Sequence, residues 1–496
     1  ALDFARDERH CLPKMDSFDL LVIGGGINGA GIARDAALRG AKVLLVEKDD
    51  LAQHTSSASS KLIHGGLRYL QYYEFRLVRE ALAEREILLR TAPHIVRPLK
   101  FVLPHAETTR PWWLVRAGLK LYDLLAWGGS LPRSRGVGRS EAALRAPLKE
   151  PGRLATYWDA WMDDARLVVL HAVQAAKHGT EIAPRTELLS ARREGELWQA
   201  SLSGGRTVAA KAIVNAAGPW VADVLKGRLS ETSERGVGLV KSSHIVVPPL
   251  FEGDHAYILQ QPDGRVVFAL PYEGRFTLIG TTDVPVDAPE DARISAEEAA
   301  YLCEAANRYF RKRVGLEDVV WSYSGIRSLY DDGAAAAQAV TRDYHLELDE
   351  DPGPKLLSVF GGKITTARAL AEEAMKLLGV SGRSRTDVTW LPGGEMDDMW
   401  DERYEELLGR LDWLPQSILR RWSYAYGARL GAIVGHLTSL EALGRDFGCG
   451  LYEAEIRYLR EREFARTAED VLWRRTKLGL HMSEAERDAV STFMGA

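Results

Sequence analysis

The sequence predicts an α/β chain: a parallel, doubly wound nucleotide-binding unit carrying an inserted antiparallel sheet, followed by an all-helical C-terminal domain. Three observations carry that expectation. Residues 18–47 read as strand, tight turn, helix and strand; residues 242–283 hold short alternating strands separated by turns; and the chain beyond Leu391 is helical and rich in Arg and Glu. At 496 residues the chain also exceeds the size at which a single core stops growing, so several domains are expected.

In the first unit, Leu20, Leu21, Val22 and Ile23 form an apolar run of strand length, and a second run from Val43 to Val46 closes it. Between them Gly24, Gly26 and Gly29 hold the spacing G-x-G-x-x-G at the opening of an Ala-rich helix. The first glycine permits the turn, the second lets a pyrophosphate approach the backbone, and the third lets helix and strand pack closely. The helix N-terminus then offers N–H groups and a positive dipole end to an anion. Glu47 can accept hydrogen bonds from both ribose hydroxyls, and its charge disfavours a 2′-phosphate. The unit points to a dinucleotide and leaves NAD and FAD both open.

Composition narrows the function classes. A formal charge of −5 gives no nucleic-acid footprint, so an anionic ligand must be held by local Lys and Arg. Cys11, Cys303 and Cys449 are isolated thiols, which argues against a disulfide framework or a Cys-rich zinc site and fits a reducing compartment. No metal site is expected. The first 16 residues lack the apolar core of a secretory signal, and no apolar run reaches the roughly 20 residues that span a bilayer.

The run from Thr55 to Tyr69, rich in small and hydroxylic residues and ending in Lys61, His64, Gly65, Gly66 and Arg68, suits a chain lying flat against a ligand. Spacing predicts an amphipathic helix over 72–90 and a strand over 100–104. In residues 110–127, bounded by Arg110 and Trp127, Arg116, Lys120, Asp123 and Trp127 share one narrow stripe of a helix and the remainder is apolar and aromatic. Such a helix is either buried or lies in a membrane interface with its aromatics at headgroup depth. A helix from Asp163 to His178 and a return to the nucleotide unit at Ala212–Trp220 follow, and then the alternating strands of an inserted sheet. Ser295 and Glu298 form a capping-box pattern. Residues 391–394 read as a linker, and the charge runs beyond it as solvated helix faces.

Taken together, residues 24–32, 55–69, 241–246, 280–283, 323–327, 360–366 and 472–477 closely resemble the FAD-dependent aerobic glycerol-3-phosphate dehydrogenase family. The resemblance implies a glutathione-reductase-like FAD domain over 16–99, 160–232 and 322–388. It also implies a substrate domain of the D-amino-acid-oxidase kind over 100–159 and 233–321, and a helical C-terminal domain over 389–496. It selects FAD over NAD, with contacts from Gly24, Gly26, Asn28, Gly29 and Glu47. Further contacts come from Thr55, Ser56, Ser57, Ser59, Lys61, Leu62, His64, Gly65, Gly66 and Leu67, from Ala217, Gly218 and Trp220, and from Gly361, Gly362, Lys363 and Thr365. The implied reaction converts sn-glycerol 3-phosphate to dihydroxyacetone phosphate, with electrons passed to quinone. The enzyme is expected to be a homodimer resting on the inner face of the cytoplasmic membrane.

A phosphate carries about −1.5 to −2 charges. Arg327 and Arg342 are expected to clamp it, with Lys363 as a further point charge and Arg68 and Tyr69 lining the substrate side. His244 is the candidate base for the C2 hydroxyl proton, and His64 competes for that role. The rival readings are an oxidase passing electrons to oxygen and an amine-oxidising flavoenzyme of the same fold; the cationic set fits phosphate better than an amino acid.

Overall fold

The computed structural model describes residues 16–105, 111–229, 237–330, 344–350, 353–395, 405–406 and 409–495. Arg342, expected in the phosphate clamp, and Arg110 lie outside the described residues, as does the side chain of Arg68.

The first strand, β1 (Asp16–Ile23), leads into helix α1 (Ile27–Leu38) and strand β2 (Val43–Glu47). β1 pairs in parallel with β2 on one side and with Thr207–Asn215 on the other, so Leu20 faces Val43 and Ala212. Glu181–Pro184 extends the sheet beyond β2, Lys355–Phe360 extends it beyond Thr207–Asn215, and both additions are parallel. His345–Asp349 adds an antiparallel edge, and the hairpin Leu188–Glu194 with Leu197–Leu202 folds onto Thr207–Asn215. Every residue of β2 is buried because both faces of the sheet are covered, which explains the unbroken apolar run. α1 packs between Asp164–Lys177 and Ala367–Leu378 on one face.

A second, ten-stranded sheet forms the rest of the framework. Its centre is the antiparallel meander that the sequence predicts, His255–Gln260, Val266–Tyr272 and Phe276–Gly280, which pairs onto Val237–Val247. Burial does not alternate along its first strand, because Tyr257 and Leu259 enter one core and Ala256 and Ile258 another on the opposite face. Trp321–Tyr330 lies antiparallel along Val237–Val247 over ten residue pairs, so this strand belongs to the sheet of the inserted domain, although the expected boundary at 322 assigned it to the FAD domain. Its alternation reads equally well in either sheet; only the pairing register decides. Leu62–Ile63 and Val96–Pro104 also join this sheet, through Leu154–Met162. Helix Ala296–Tyr309 opens with the expected capping box, Ser295 accepting from the Glu298 amide and Glu298 from the Ser295 amide.

The C-terminal part has its own core around Trp422, Tyr426, Leu459 and Val471, built from helices Gln416–Tyr426, Glu453–Arg462 and Glu484–Gly495 and the π-helical turn Asp470–Arg475. Two expectations need correction here. Residues 391–394 are not a loose linker: Leu391 is fully buried, and a Cβ on Gly393 would stand 2.3 Å from the Tyr426 carbonyl. The charged runs are solvated only in part: Arg457, Arg460, Glu461, Arg462 and Glu469 are exposed as expected, while their neighbours turn inward. Glu463 is fully buried and accepts two bonds from Arg166, with Arg429 3.2 Å away; Lys477 reaches Asp163 at 2.5 Å, and Arg474 and Arg475 close on Asp50. A charge run looks the same in sequence whether its partner is water or another domain.

Burial, the largest single influence, would raise the Glu463 carboxyl, but Arg166 together with Arg429 and Arg475 outweighs it and holds the group below the usual range. Its stabilising contribution is therefore complete above the unfolded pKa of about 4.3 and is lost as pH falls through the lower folded value. Glu463→Gln leaves Arg166 without a charged acceptor in a desolvated place and is expected to cost about 3–5 kcal/mol at pH 7. Urea unfolding followed at several pH values should show that difference constant above about pH 5 and shrinking below about pH 4.

Candidate active site

Gly24 ends β1 with φ at +108°, and a Cβ there would stand 2.4 Å from the Ala216 carbonyl oxygen. That contact brings β1 and the turn after Thr207–Asn215 together at the carboxyl edge of the sheet. A Cβ on Gly29 would stand 1.9 Å from the Gly24 oxygen, so the first turn of α1 is pressed onto β1. The helix starts at Gly26 with no side-chain cap, and the Ile27 amide donates to Ser56 Oγ at 3.0 Å.

Two cavities meet at this helix start, sharing Gly26, Thr55, Ser56 and Gly218. The larger, of about 580 Å³, runs along Gly24, Glu47, Ala217 and Trp220. Glu47 is buried there; its Oε2 accepts from the Gly25 amide at 2.7 Å and its Oε1 from the Asp49 amide at 2.9 Å. Burial raises this carboxyl above its ordinary value, against the pull of those two amides. Each oxygen keeps a second lone pair for a hydroxyl donor.

The smaller cavity, of about 260 Å³, brings together Asn28, Ser59, Leu62, His64, Tyr69, His244, Arg327, Gly361, Gly362, Lys363 and Thr365. These come from segments as far apart as α1, the 55–69 run, two strands of the inserted sheet and the turn after Lys355–Phe360. The antiparallel register sets His244 opposite Tyr323 and Ser242 opposite Gly325, so strand alternation turns His244, Ser242 and Arg327 toward one space. His244 is buried, shares a 2.8 Å hydrogen bond with Ser60 Oγ and stacks on Tyr323 with centroids 4.9 Å apart; its Nδ1 has no partner among the described residues. Burial, followed by the charges of Lys61 and Arg327, pushes it down to about 3. His64 is pushed down to about 4 by burial and by Lys363 and Arg327. Arg327 bonds Ser242 Oγ at 2.5 Å and pairs with Asp283, while its Nε has no partner among the described residues. The Lys363 ammonium lies 4.3 Å from the Tyr69 ring centre. Two neutral imidazoles and two cations thus face one space, suited to a dianionic substrate that loses a proton.

Several expected cofactor contacts are used elsewhere. The Lys61 ammonium is buried against Asp164, at 2.8 and 2.9 Å, and takes no part in either cavity wall. The Gly65 amide donates to Tyr122 Oη at 2.9 Å, and a Cβ there would meet Leu82 and Tyr122 at 2.7 Å, so this glycine serves close packing of protein on protein. Gly66, Leu67 and Ser57 also line neither cavity, and Gly29 acts through helix packing. A lysine or glycine inside a ligand-like run carries no mark of which side it faces. Conversely, the sequence alone assigns no role to Ser60, Ser242, Asp283 or Tyr323, which the structure brings beside His244 and Arg327. The period of two that puts Ser242 beside His244 was legible; the cross-strand partners Asp283 and Tyr323 were not.

The FAD dependent oxidoreductase family matches residues 19–377, and the C-terminal domain of alpha-glycerophosphate oxidase matches residues 384–495. D-erythritol 1-phosphate dehydrogenase of Brucella abortus is 51% identical over 96% of this chain and 97% of its own length. Glycerol-3-phosphate dehydrogenase of Pseudomonas aeruginosa is 49% identical over 97% of this chain and 96% of its own. The crystal structure of glycerol-3-phosphate dehydrogenase from Bacillus halodurans complexed with FAD superposes with a TM-score of 0.71 at 26% identity, covering 97% of this chain and 94% of that one. With the paired cavities at the start of α1 and both parts of the chain matched, the protein belongs to the FAD-dependent oxidoreductases, in the glycerol-3-phosphate dehydrogenase family.

Proposed function

We propose that the chain oxidises the secondary hydroxyl of a polyol phosphate, sn-glycerol 3-phosphate being the leading candidate, to give dihydroxyacetone phosphate. The observation that carries this reading is the convergence of Arg327 and Lys363 with the two neutral histidines His64 and His244 on one cavity. FAD fits the site beside it: the two cavities form an elongated space bent around the start of α1, where the buried Asn28 Oδ1 has no partner among the described residues. Gly26, Ile27 and Ser56 would hold the pyrophosphate, Glu47 the adenosine ribose, and Gly361, Gly362 and Thr365 the flavin side. When bound, FAD supplies the hydride acceptor.

The remaining chemistry falls to side chains. Arg327 and Lys363 bind the phosphate, with Arg342 as a further expected ligand; Arg327 can take up the phosphate by exchanging it for Asp283. His244, held by Ser60 and by the face of Tyr323, takes the hydroxyl proton on a ring that burial keeps neutral. His64 and Tyr69 close the same cavity. A four-carbon polyol phosphate, D-erythritol 1-phosphate, is the second reading, favoured by the Brucella relative's name; phosphate clamp and base serve it equally.

Electrons are proposed to pass to a membrane quinone, because the protein carries an apolar face suited to a lipid surface. Helix Trp112–Leu125 buries only Leu119 and Tyr122, while Trp113 is 69% and Trp127 73% exposed. Tyr72, Tyr73 and Phe75 are exposed on the adjoining turn. Trp112 is half-buried against His105, so of the helix's aromatics Tyr122 and Trp112 turn inward and Trp113 outward. No described helix is long and apolar enough to cross a membrane. A homodimer lying on the inner membrane face is the assembly that the family resemblance implies.

Anaerobic titration with sn-glycerol 3-phosphate is expected to bleach the flavin absorption, with D-erythritol 1-phosphate run in parallel and glycerol inert. Bleaching by the four-carbon phosphate alone would favour the second reading, and an oxidised flavin with both would refute the proposal. In Arg327→Ala the loss of a charged hydrogen-bonding partner, about 1.5–3 kcal/mol, should weaken substrate binding in the same titration. His244→Gln should slow flavin reduction by roughly 10²–10⁴-fold in single-turnover mixing. A base must be deprotonated to act, and His244 is so above about 3, so the acid limb of kcat/KM is expected well below pH 6. A limb near the ordinary histidine value of about 6.5 would point to another group. Flotation with anionic liposomes should weaken when Trp113 and Trp127 are both replaced by alanine; unchanged flotation would remove this helix from the membrane contact.

A further inference from the structure

We infer that the C-terminal turn Asp470–Arg475 is a clamp on the adenosine half of the cofactor site, with Asp50 as the positioning residue through which it acts. This rests on the reading that Glu47 marks the ribose end of the larger cavity.

Asp50 lies three residues beyond Glu47, at the start of the segment that runs on to Ser56 at the helix start. It is fully buried, and both oxygens are taken by guanidinium groups from the far end of the chain. Arg474 Nε donates to Oδ2 at 2.6 Å, Arg475 Nη1 to Oδ2 at 2.6 Å and Arg475 Nη2 to Oδ1 at 2.9 Å. Arg475 is itself fixed by the Glu463 carbonyl at 2.9 Å. From Asp50 the segment returns directly to the glycine turn, the Ala52 amide donating to the Gly25 carbonyl at 3.0 Å, while the Gly25 amide binds Glu47 at 2.7 Å. Ala52 sits at φ +62°, a left-handed conformation that alanine keeps only where its surroundings hold it.

The same turn grips the opposite wall. Asp470 accepts from Arg185 at 2.9 Å and from Arg474 at 2.6 Å. The Arg185 amide donates to the Asp49 carbonyl, and the Thr186 amide to the Glu47 carbonyl, both at 2.8 Å. Ala52, Gln53 and Ser56 on one side and Thr186 on the other line the larger cavity. Residues 470–475 therefore hold both walls flanking Glu47 without touching the cavity near it. Planar guanidinium forks on one carboxylate fix its direction as well as its distance, which apolar contact would not do.

The test uses the full chain stripped of flavin, titrated with FAD and separately with ADP, which carries only the adenosine and pyrophosphate half. Asp50→Asn is expected to weaken both ligands by about 10–100-fold, the equivalent of losing one or two charge-assisted hydrogen bonds. Arg185→Ala, at a half-exposed position that keeps the buried pair intact, is expected to weaken both severalfold and decides the matter if Asp50→Asn does not fold. Glu463→Gln breaks an equally buried bridge between the same domain and helix Asp164–Lys177, and is expected to lower the unfolding midpoint while leaving both affinities within about twofold. The clamp is overturned if Asp50→Asn or, where that variant is not folded, Arg185→Ala binds FAD and ADP as wild type does. It is equally overturned if Glu463→Gln loses as much affinity as Asp50→Asn. Glu47→Gln separates the underlying reading. A loss of ADP affinity there, with none in Asp50→Asn, rejects the clamp and keeps the ribose site, whereas unchanged ADP affinity in Glu47→Gln rejects the ribose site itself.

Discussion

The rest of the structure depends on one close approach, the Gly24 backbone lying against the Ala216 carbonyl with no room for a side chain between them. That contact sets two parallel strand ends side by side and starts α1 at their edge. Because Gly26 offers α1 no side-chain cap, the helix N-terminus and the positive end of its dipole face the junction of the two cavities, with Ser56 Oγ taking the Ile27 amide. The two cavities run from that point, toward Glu47 in one direction and toward His244 and Arg327 in the other.

The two ends differ in their electrostatics. The end proposed for adenosine has an acid, Glu47, whose buried oxygens are held by backbone amides. The reactive end has Arg327 and Lys363 beside two histidines that cannot easily gain protons there, because burial and the neighbouring cations both oppose it. A phosphate entering that space meets charge it can neutralise, and a hydroxyl meets a ring nitrogen that is already unprotonated. The negative charge of the whole chain is of little consequence at this range, since solvent screens it over about 8–10 Å.

The C-terminal domain is bound to the FAD-binding part by buried ion pairs of Asp50, Asp163 and Arg166 with Arg474, Arg475, Lys477 and Glu463. Desolvating so many charges is costly unless each is matched, which ties the domain to one orientation. Trp321 of the inserted sheet also stacks on Trp473, with centroids 5.0 Å apart, so all three parts of the chain meet beside the site.

By itself the sequence determined the local features: the glycine turn, the apolar strands of the parallel sheet, the capping box at Ser295 and the alternation that puts His244 and Ser242 on one face. Each is set within a few residues by backbone sterics or by a period of 2 or 3.6. Its long motifs also named the family. Tertiary structure alone decided which way Lys61 and Gly65 face, which sheet takes Trp321–Tyr330, and whether the C-terminal charges meet water or one another. It also left the helix Trp112–Leu125 largely uncovered, where the sequence allowed burial equally. Those outcomes depend on partners more than a hundred residues away in most cases, such as Asp164 for Lys61 and Asp50 for Arg475. A residue type states what bonds a side chain can make, and only the packed chain states which atom stands within reach to make them.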